Sequence, residues 1–227
     1  NYKGLMLILQ LQNCYSYLML KNLRKIFVSS AVLLSSVLFF SCTKPGDSSV
    51  QQAVTAYGAG KYDQALELFN EALEKQTRYS DELIFAFISN IYAAQEDFEN
   101  AAIWMEKSLE KKPDYRNYVT LGMDWQTLKN YQKAEEAYKN AIQMNEQKGE
   151  GWASLGMLYL EEGKSLEKSI ESLKKGAEFA PKIAVIHAYL GVAYLKNGQK
   201  DLAEQEFALA QELKCENLEQ IKEKFLK

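Results

Sequence analysis

The sequence contains few of the residues that interrupt helices and few of those that build catalytic or metal centres. Among its 227 residues are three prolines, twelve glycines, three cysteines and a single histidine. Because helices tolerate proline poorly, so few prolines predict few breaks in helical structure. One histidine cannot form a site that needs two, and the absence of any Cys-x-x-Cys spacing excludes the zinc sites built on that motif. We therefore expect a mainly helical chain without a metal or other cofactor.

Charge is distributed unevenly along the chain. The formal net charge is −3, yet residues 1–42 contain four basic residues and no acidic one. From Thr43 onward, 23 basic residues stand against all 30 acidic ones, which is a net charge of −7. Nucleic-acid binding needs clustered lysines and arginines that neutralise phosphates. The acidic remainder of the chain therefore indicates that nucleic acid is not a partner.

The N-terminal part has the form of a secretory signal peptide. Met19 is followed by a basic stretch and then by a 15-residue apolar run over residues 26–40. We expect residues 1–18 to be an upstream extension outside the native protein and residues 19–41 to be the signal peptide. The apolar run is shorter than the roughly 20 residues that span a bilayer. A single transmembrane anchor, or a signal that ends elsewhere, remains an alternative.

The sequence Phe39-Phe40-Ser41-Cys42 resembles the lipobox of bacterial lipoproteins. This resemblance implies cleavage before Cys42 and attachment of acyl chains such as palmitate to its thiol. Residues 42–48 are then the lipidated cysteine and a short polar tether. The resemblance also implies a place in the bacterial cell envelope. Since Thr43 stands where an Asp marks inner-membrane retention in some envelopes, we expect the outer membrane, with the protein facing the periplasm.

The stretch from Gly151 to Pro181 has the pattern of two helices joined by a turn. Its first part carries one helix face at i, i+3, i+4 and i+7, made of Trp152, Leu155, Gly156 and Tyr159. Gly163 interrupts that helix, and a second apolar face follows before Pro181 ends it. This arrangement resembles the tetratricopeptide repeat, a helix-turn-helix unit of about 34 residues. The resemblance implies stacked units, because one unit cannot bury its own apolar face.

The same register recurs along the chain and predicts an all-α fold. We expect an α-solenoid of about five tetratricopeptide repeats over residues 49–217, with a capping helix over residues 218–227. The repeats are expected at about 46–79, 82–115, 115–148, 149–183 and 184–217. Leu218, Ile221 and Phe225 share one face of the last helix, which we expect to cover the apolar end of the fifth repeat.

The residues that carry chemistry elsewhere have structural interpretations in this sequence. His187 stands at the helix-packing position that Trp152 holds in the fourth repeat. Cys215 has no base near it in sequence, so a partly buried structural thiol is expected. Acidic residues alternate with basic ones at the spacings of a solvated helix surface, as Glu135 and Lys139 do. The sequence therefore predicts that the protein is not an enzyme and has no small-molecule substrate.

The resemblance also implies a concave groove lined by the first helix of each repeat. The predicted partner-binding residues are largely apolar and include two methionines, whose flexible side chains suit a docked helix or peptide. They are Val54, Tyr57, Asn90, Val119, Met123, Gln126, Met157, Leu160, Val192 and Leu195. A groove filled by the chain's own N-terminal segment is the alternative. Only Asn90 matches the residues with which some family members hold acidic C-terminal peptides, so that ligand is not expected.

Together these patterns predict a non-catalytic, membrane-anchored scaffold that binds a protein or peptide partner. By architecture it resembles exported lipoproteins that assemble envelope complexes. One alternative is an adaptor that recruits envelope enzymes such as peptidoglycan hydrolases. Another is a surface-exposed lipoprotein with a host-facing role. A cytoplasmic scaffold is the interpretation if the signal peptide is not one.

Overall fold

The computed structural model describes residues 44–226, which form eleven α-helices and no strand. The predicted upstream extension, signal peptide and Cys42 lie outside the described residues, as does Lys227. The helices are α1 (Asp47–Gly58), α2 (Tyr62–Glu74), α3 (Asp81–Ala94), α4 (Phe98–Lys111), α5 (Tyr115–Thr127), α6 (Tyr131–Met144), α7 (Gly149–Glu162), α8 (Leu166–Phe179), α9 (Ala184–Lys196), α10 (Lys200–Glu212) and α11 (Leu218–Leu226).

The first ten helices form five antiparallel pairs that stack in sequence order. Each odd-numbered helix packs most extensively against the helix that follows it, which defines the pair. The second helix of each pair then packs against the first helix of the next pair, as α2 does against α3. The predicted all-α solenoid of five helix-turn-helix repeats with a C-terminal helix is therefore confirmed.

Two kinds of junction alternate along the stack. The turn inside each pair contains one residue with a left-handed backbone, at Gly60, Glu96, Lys129, Gly163 and Gly198. The junctions after the first three pairs contain an extended residue instead, as at Lys112, whose φ is −152° and ψ is 110°. The left-handed turns join the two helices of each pair, and the extended junctions lead from one pair to the next. The result is a stack of helical hairpins.

Small residues let the two helices of a pair approach closely. At Gly122 an added Cβ would lie 2.4 Å from the ring of Tyr138, and at Gly156 it would lie 2.6 Å from Leu173. Ser89 holds the matching position in the second pair, and its hydroxyl donates a buried 2.8 Å hydrogen bond to the backbone oxygen of Ala101. A larger side chain at these positions would separate the helices that the core requires in contact.

The N-terminal end is held by a cluster around Asp47, which we call the Asp47 cluster (Lys44, Asp47, Thr77 and Arg78). The Asp47 carboxylate accepts hydrogen bonds from the Lys44 N–H at 3.0 Å, the Arg78 N–H at 2.8 Å and the Thr77 hydroxyl at 2.9 Å. Arg78 Nε lies 2.6 Å from the same carboxylate. The part of the predicted 42–48 tether from Lys44 onward is therefore not a free linker, because it is bonded to the loop after α2.

The C-terminal helix α11 does not continue the stack. After α10 the chain turns at Lys214, whose φ is +60°, and the Cys215 N–H donates to the oxygen of Ala210 at 2.9 Å. This is the reversing turn found inside the pairs, and it directs α11 mainly onto α9 instead of α10. The expected capping helix is therefore present: α11 packs on α9 of the fifth repeat, and its Leu218 and Ile221 lie in the same apolar cluster as Leu190.

Candidate functional site

The first helices of the five pairs present one shared face, which carries the predicted groove residues. We call it the groove face and define it by the residues that hold the same helical position in α1, α3, α5, α7 and α9. One such series consists of Val54, Asn90, Met123, Met157 and Val192, and its exposure changes along the chain. Met123 is 56% exposed and the first two are partly buried, whereas Val192 is 0% exposed. The third repeat therefore offers a partner more accessible apolar surface at this position than the fifth repeat does.

Helix α11 accounts for the loss of exposure at the C-terminal end of the groove face. Leu218 and Ile221 of α11 belong to the same apolar cluster as Leu160 and Val192. The partly buried Met157, Leu195 and Phe225 pack against that cluster. Leu160 and Val192 are therefore core residues, which corrects their assignment as partner-binding residues, because an apolar surface already covered by the chain offers no free contact area.

A chain of polar contacts crosses the groove face beside this cluster. The Tyr138 hydroxyl donates to Gln126 Oε1 at 2.9 Å, and Gln126 Nε2 donates to Glu161 Oε2 at 2.6 Å. Lys224 of α11 completes the chain, with its Nζ 3.5 Å from Glu161 Oε1. Gln126, predicted to bind a partner, is therefore engaged within the protein and links α5, α6 and α7.

The open part of the groove face lies in the first three repeats. Val54, Tyr57, Asn90 and Val119 are partly buried there, and Met123 is the most exposed of the set. The Tyr57 ring packs edge-on against Phe87, with ring centroids 6.2 Å apart. Since aromatic rings with one accessible edge offer a rigid apolar contact, this part of the face suits a docked apolar side chain.

Asp124 lies directly beside Met123 in sequence but points into the core. It is 3% exposed, and within residues 44–226 its Oδ2 atom has no hydrogen-bond partner. Burial in this apolar place raises the pKa of the Asp124 carboxyl to about 7. The matching position holds a buried Ile91, Leu158 or Ala193 in other repeats. Sequence reasoning missed Asp124, although an acidic residue at an otherwise apolar position of the repeat was a signal that could have identified it.

The single histidine and the described cysteine are engaged in local contacts. His187 is buried, with Nδ1 2.7 Å from Glu206 Oε2 and Nε2 2.9 Å from the backbone oxygen of Pro181. The Cys215 thiol is partly buried and donates to Asn217 Oδ1 at 3.3 Å. His187 joins α9 to α10, which is the packing role that its position predicts.

Metal-binding clusters and membrane-spanning helices are both absent from the described part of the chain. Within residues 44–226, no group of three or more His, Cys, Asp or Glu side chains is placed to hold a metal ion. None of the helices in this range combines the length and the apolar character needed to cross a bilayer.

Comparison with known proteins identifies the repeat. Residues 50–116 and residues 115–148 each match a family model described as tetratricopeptide repeat. Residues 50–148 therefore contain tetratricopeptide repeats. Proteins with such repeats generally mediate contacts between proteins, and their fold is typically a non-catalytic scaffold. The groove face is therefore the candidate site for contact with another protein.

Solved tetratricopeptide structures share this fold. MamA from Desulfovibrio magneticus RS-1 is 19% identical, with a TM-score of 0.65 over 74% of this chain and 94% of that one. YrrB, described as a tetratricopeptide-repeat protein with an unusual peptide-binding site, is 21% identical, with a TM-score of 0.60 over 73% of this chain and 84% of its own. At these identities the likeness establishes the architecture alone.

A curated relative shares part of its length with the tetratricopeptide array. Anaphase-promoting complex subunit 3 of Schizosaccharomyces pombe is 25% identical over 128 residues, which are 56% of this chain. The match spans only 19% of that much longer protein. What the whole subunit does is therefore not transferred to this chain by the match.

Proposed function

We propose that the protein is a non-catalytic interaction scaffold whose groove face binds a peptide or a helix of another protein. The observation that carries the proposal is the 56% exposure of Met123, a large apolar side chain on a face that is otherwise apolar and partly buried. Contiguous exposed apolar patches often mark binding sites, and Met123 lies on the same face as the partly accessible Val54, Tyr57 and Val119. The peptide-binding site named for YrrB and the complex named for the yeast relative are consistent with it.

The open part of the groove face is chemically suited to an apolar helix or an extended peptide. Methionine changes shape at little cost and so adapts to different apolar partners. The aromatic pair Tyr57–Phe87 supplies a rigid contact at the N-terminal side. Asn90 lies on α3, the helix that also carries Phe87. Its side-chain amide offers a donor and an acceptor to a peptide backbone.

The proposal is tested by a matched pair of substitutions in the full chain. Met123→Asp places a charge on the open groove face, while Met144→Asp places one on α6, where Met144 is 46% exposed. A photo-crosslinking side chain at Asn90 is used to capture the partner in native envelopes. We expect one crosslinked product that is lost with Met123→Asp and kept with Met144→Asp. Equal capture by both variants would show that the groove face is not the binding site.

The proposed place of action is the bacterial cell envelope, with a lipid anchor on Cys42. Support comes from the signal-like residues 19–41 and the lipobox-like sequence that ends at Cys42. Two or more acyl chains hold a protein at a membrane firmly, since each buried CH₂ contributes about 0.8 kcal/mol. Labelling with a palmitate analogue tests the anchor. We expect label on the wild type and none on Cys42→Ala, and a variant that stays labelled and membrane-bound contradicts the proposal.

A further inference from the structure

Helix α11 contacts the groove face in the manner of a bound helix. Its Phe225 ring packs edge-on against Tyr189 of α9, with centroids 5.8 Å apart. Lys196 of α9 donates a 2.8 Å hydrogen bond to the backbone oxygen of Phe225, near the end of α11. Lys224 reaches past α9 to Glu161 of α7, so that α11 touches the first helices of two repeats.

Helix α11 is short and contributes few residues to the core. It has nine residues, which is the shortest of the eleven helices in the described range, and a helix of that length is not stable alone in water. Only Leu218 and Ile221 of this helix are buried, while the C-terminal Leu226 is 38% exposed. Elements with few buried contacts separate from a fold at the lowest free energy. Helix α11 is thus the element most readily released.

We propose that α11 is an intramolecular ligand of the groove face and that an amphipathic helix of another protein displaces it. The inference rests on the proposed function, since it assigns a partner class and a mode of control to the same groove face. The partner helix carries an apolar stripe spaced like Leu218, Ile221 and Phe225, with a lysine next to its aromatic residue. That lysine pairs with Glu161, as Lys224 does in the intramolecular state.

Displacement of α11 extends the accessible groove face toward the fourth and fifth repeats. With α11 in place, the exposed Met123 of the groove face lies in the third repeat, while Leu160 and Val192 of the last two repeats are buried. Once α11 leaves, Met157, Tyr189 and Leu195 lose the apolar neighbours that cover them. A partner helix then has a continuous face across all five repeats, and a partner without the matching stripe gains no access to the last two.

A peptide derived from α11 provides the test. The probe is a fluorescein-labelled peptide of residues 214–227, and its binding to the full chain is followed by fluorescence polarisation. We expect weak binding to the wild type, because the site is occupied, and at least tenfold tighter binding to Phe225→Asp, in which α11 is loosened. Gln220→Ala, at an exposed position of the same helix, is the matched control and should bind like the wild type.

A charge exchange tests the predicted pairing. In the Phe225→Asp chain, Glu161→Lys should lower affinity for the peptide at least fivefold, and a peptide in which Lys224 is replaced by Glu should restore it. Equal peptide affinity of the wild type and Phe225→Asp would overturn the inference. If Met123→Asp still abolishes capture of the partner in that case, the proposed function stands and only the role of α11 is refuted. If Met123→Asp has no effect on capture either, both proposals are refuted.

Hydrogen exchange on the unaltered chain provides a readout that does not depend on a variant. We expect the backbone amides of α11 to exchange faster than those of α9. A hundredfold excess of the unlabelled peptide should accelerate exchange in α11 and leave the other helices protected. Unchanged exchange in α11 under that excess would overturn the inference.

Discussion

The two ends of the groove face carry similar residues in different surroundings. In the first three repeats, Met123 projects into solvent, and Val54 and Asn90 are partly accessible. In the fifth repeat, Val192 holds the same helical position and is completely inaccessible. Helix α11, which follows the last pair, belongs to the same apolar cluster as Val192 and so contributes to the difference. Position within a repeat thus determines which face a residue lies on, and the rest of the chain determines whether that face is free.

The largest expected difference in stability comes from introducing an aspartate in the open part or in the covered part of the groove face. Val192→Asp buries an unpaired carboxylate and should destabilise the protein by about 3–5 kcal/mol. Met123→Asp, at the exposed equivalent, should change the free energy of unfolding by about 0.5 kcal/mol or less. Urea unfolding followed by circular dichroism measures both. Similar losses of stability would mean that the two positions do not differ in burial.

Asp124, at the boundary between the open and covered parts, should make stability depend on pH. Its pKa rises from 3.8 to about 7 on folding. The folded state therefore keeps a proton that the unfolded state releases, and the stabilisation present below pH 4 is lost as pH rises through 7. The loss should be about 1.4 kcal/mol per pH unit over that interval.

The comparison that isolates this carboxyl is wild type against Asp124→Asn. We expect the stability difference between the two chains to shift in favour of the Asn variant between pH 5 and pH 8.5, measured by urea unfolding. A difference that stays constant across that range would show that Asp124 titrates normally.

At the opposite end, Asp47→Asn should loosen the open part and leave the covered part intact. Burial pushes the pKa of Asp47 up, but hydrogen bonds from Arg78, Lys44 and Thr77 outweigh burial and hold that pKa well below its usual range. Because bonds to a charged group contribute roughly 1.5–3 kcal/mol, we expect faster hydrogen exchange in α1 and unchanged exchange in α9.

The same cluster predicts a loss of stability in acid. A carboxyl whose pKa is lowered by folding contributes stability above its unfolded pKa, and that contribution is lost as pH falls below about 4. Asp47→Asn should therefore show less acid destabilisation than the wild type in α1 and α2. Identical acid profiles for the two chains would contradict the role given to the carboxylate.

The smallest expected change in stability comes from substitutions in the turns inside the pairs. These turns have the same backbone conformation in the open and covered parts of the groove face. Lys129 in the third repeat and Gly163 in the fourth both have a left-handed backbone, with φ of 58° and 72°. Lys129→Gly should stabilise slightly, by about 0.5 kcal/mol, because glycine adopts this conformation without strain. Gly163→Ala should destabilise by about 1 kcal/mol for the opposite reason. Thermal melts of both variants measure the effects, and shifts of the same sign would argue against backbone strain as the cause.

Repetition made most of the architecture predictable. Gly122, Gly156 and Gly191 hold the same position in their first helices and face Tyr138, Leu173 and Phe207 of the second helices, and this recurrence predicts close contact between paired helices. Each unit supplies an independent copy of the pattern, so an irregularity in one repeat is outweighed by the others. The helical face that carries the groove residues follows from the same register.

Features that depend on a single pairing of distant residues were not predictable in this way. The contact between Asp47 and Arg78 joins residues 31 positions apart, and no periodic pattern encodes it. The contacts that place α11 are also single pairings, such as the Phe225 ring on Tyr189 and Lys224 beside Glu161. Leu160 and Val192 were assigned to a free groove because the register assigns a face, and coverage of that face by α11 is not a property of the register.

The Asp47 cluster also determines how tension enters the molecule. A pull on the chain from its N-terminal side reaches the described fold at Lys44. The first bonds to carry the load are those from residues 44–47 to residues 76–78, such as the 2.9 Å bond from the Gly46 N–H to the oxygen of Gln76. Because residues 76–78 follow α2, the load is shared by both helices of the first pair at once. The solenoid therefore resists being peeled apart one helix at a time from that end.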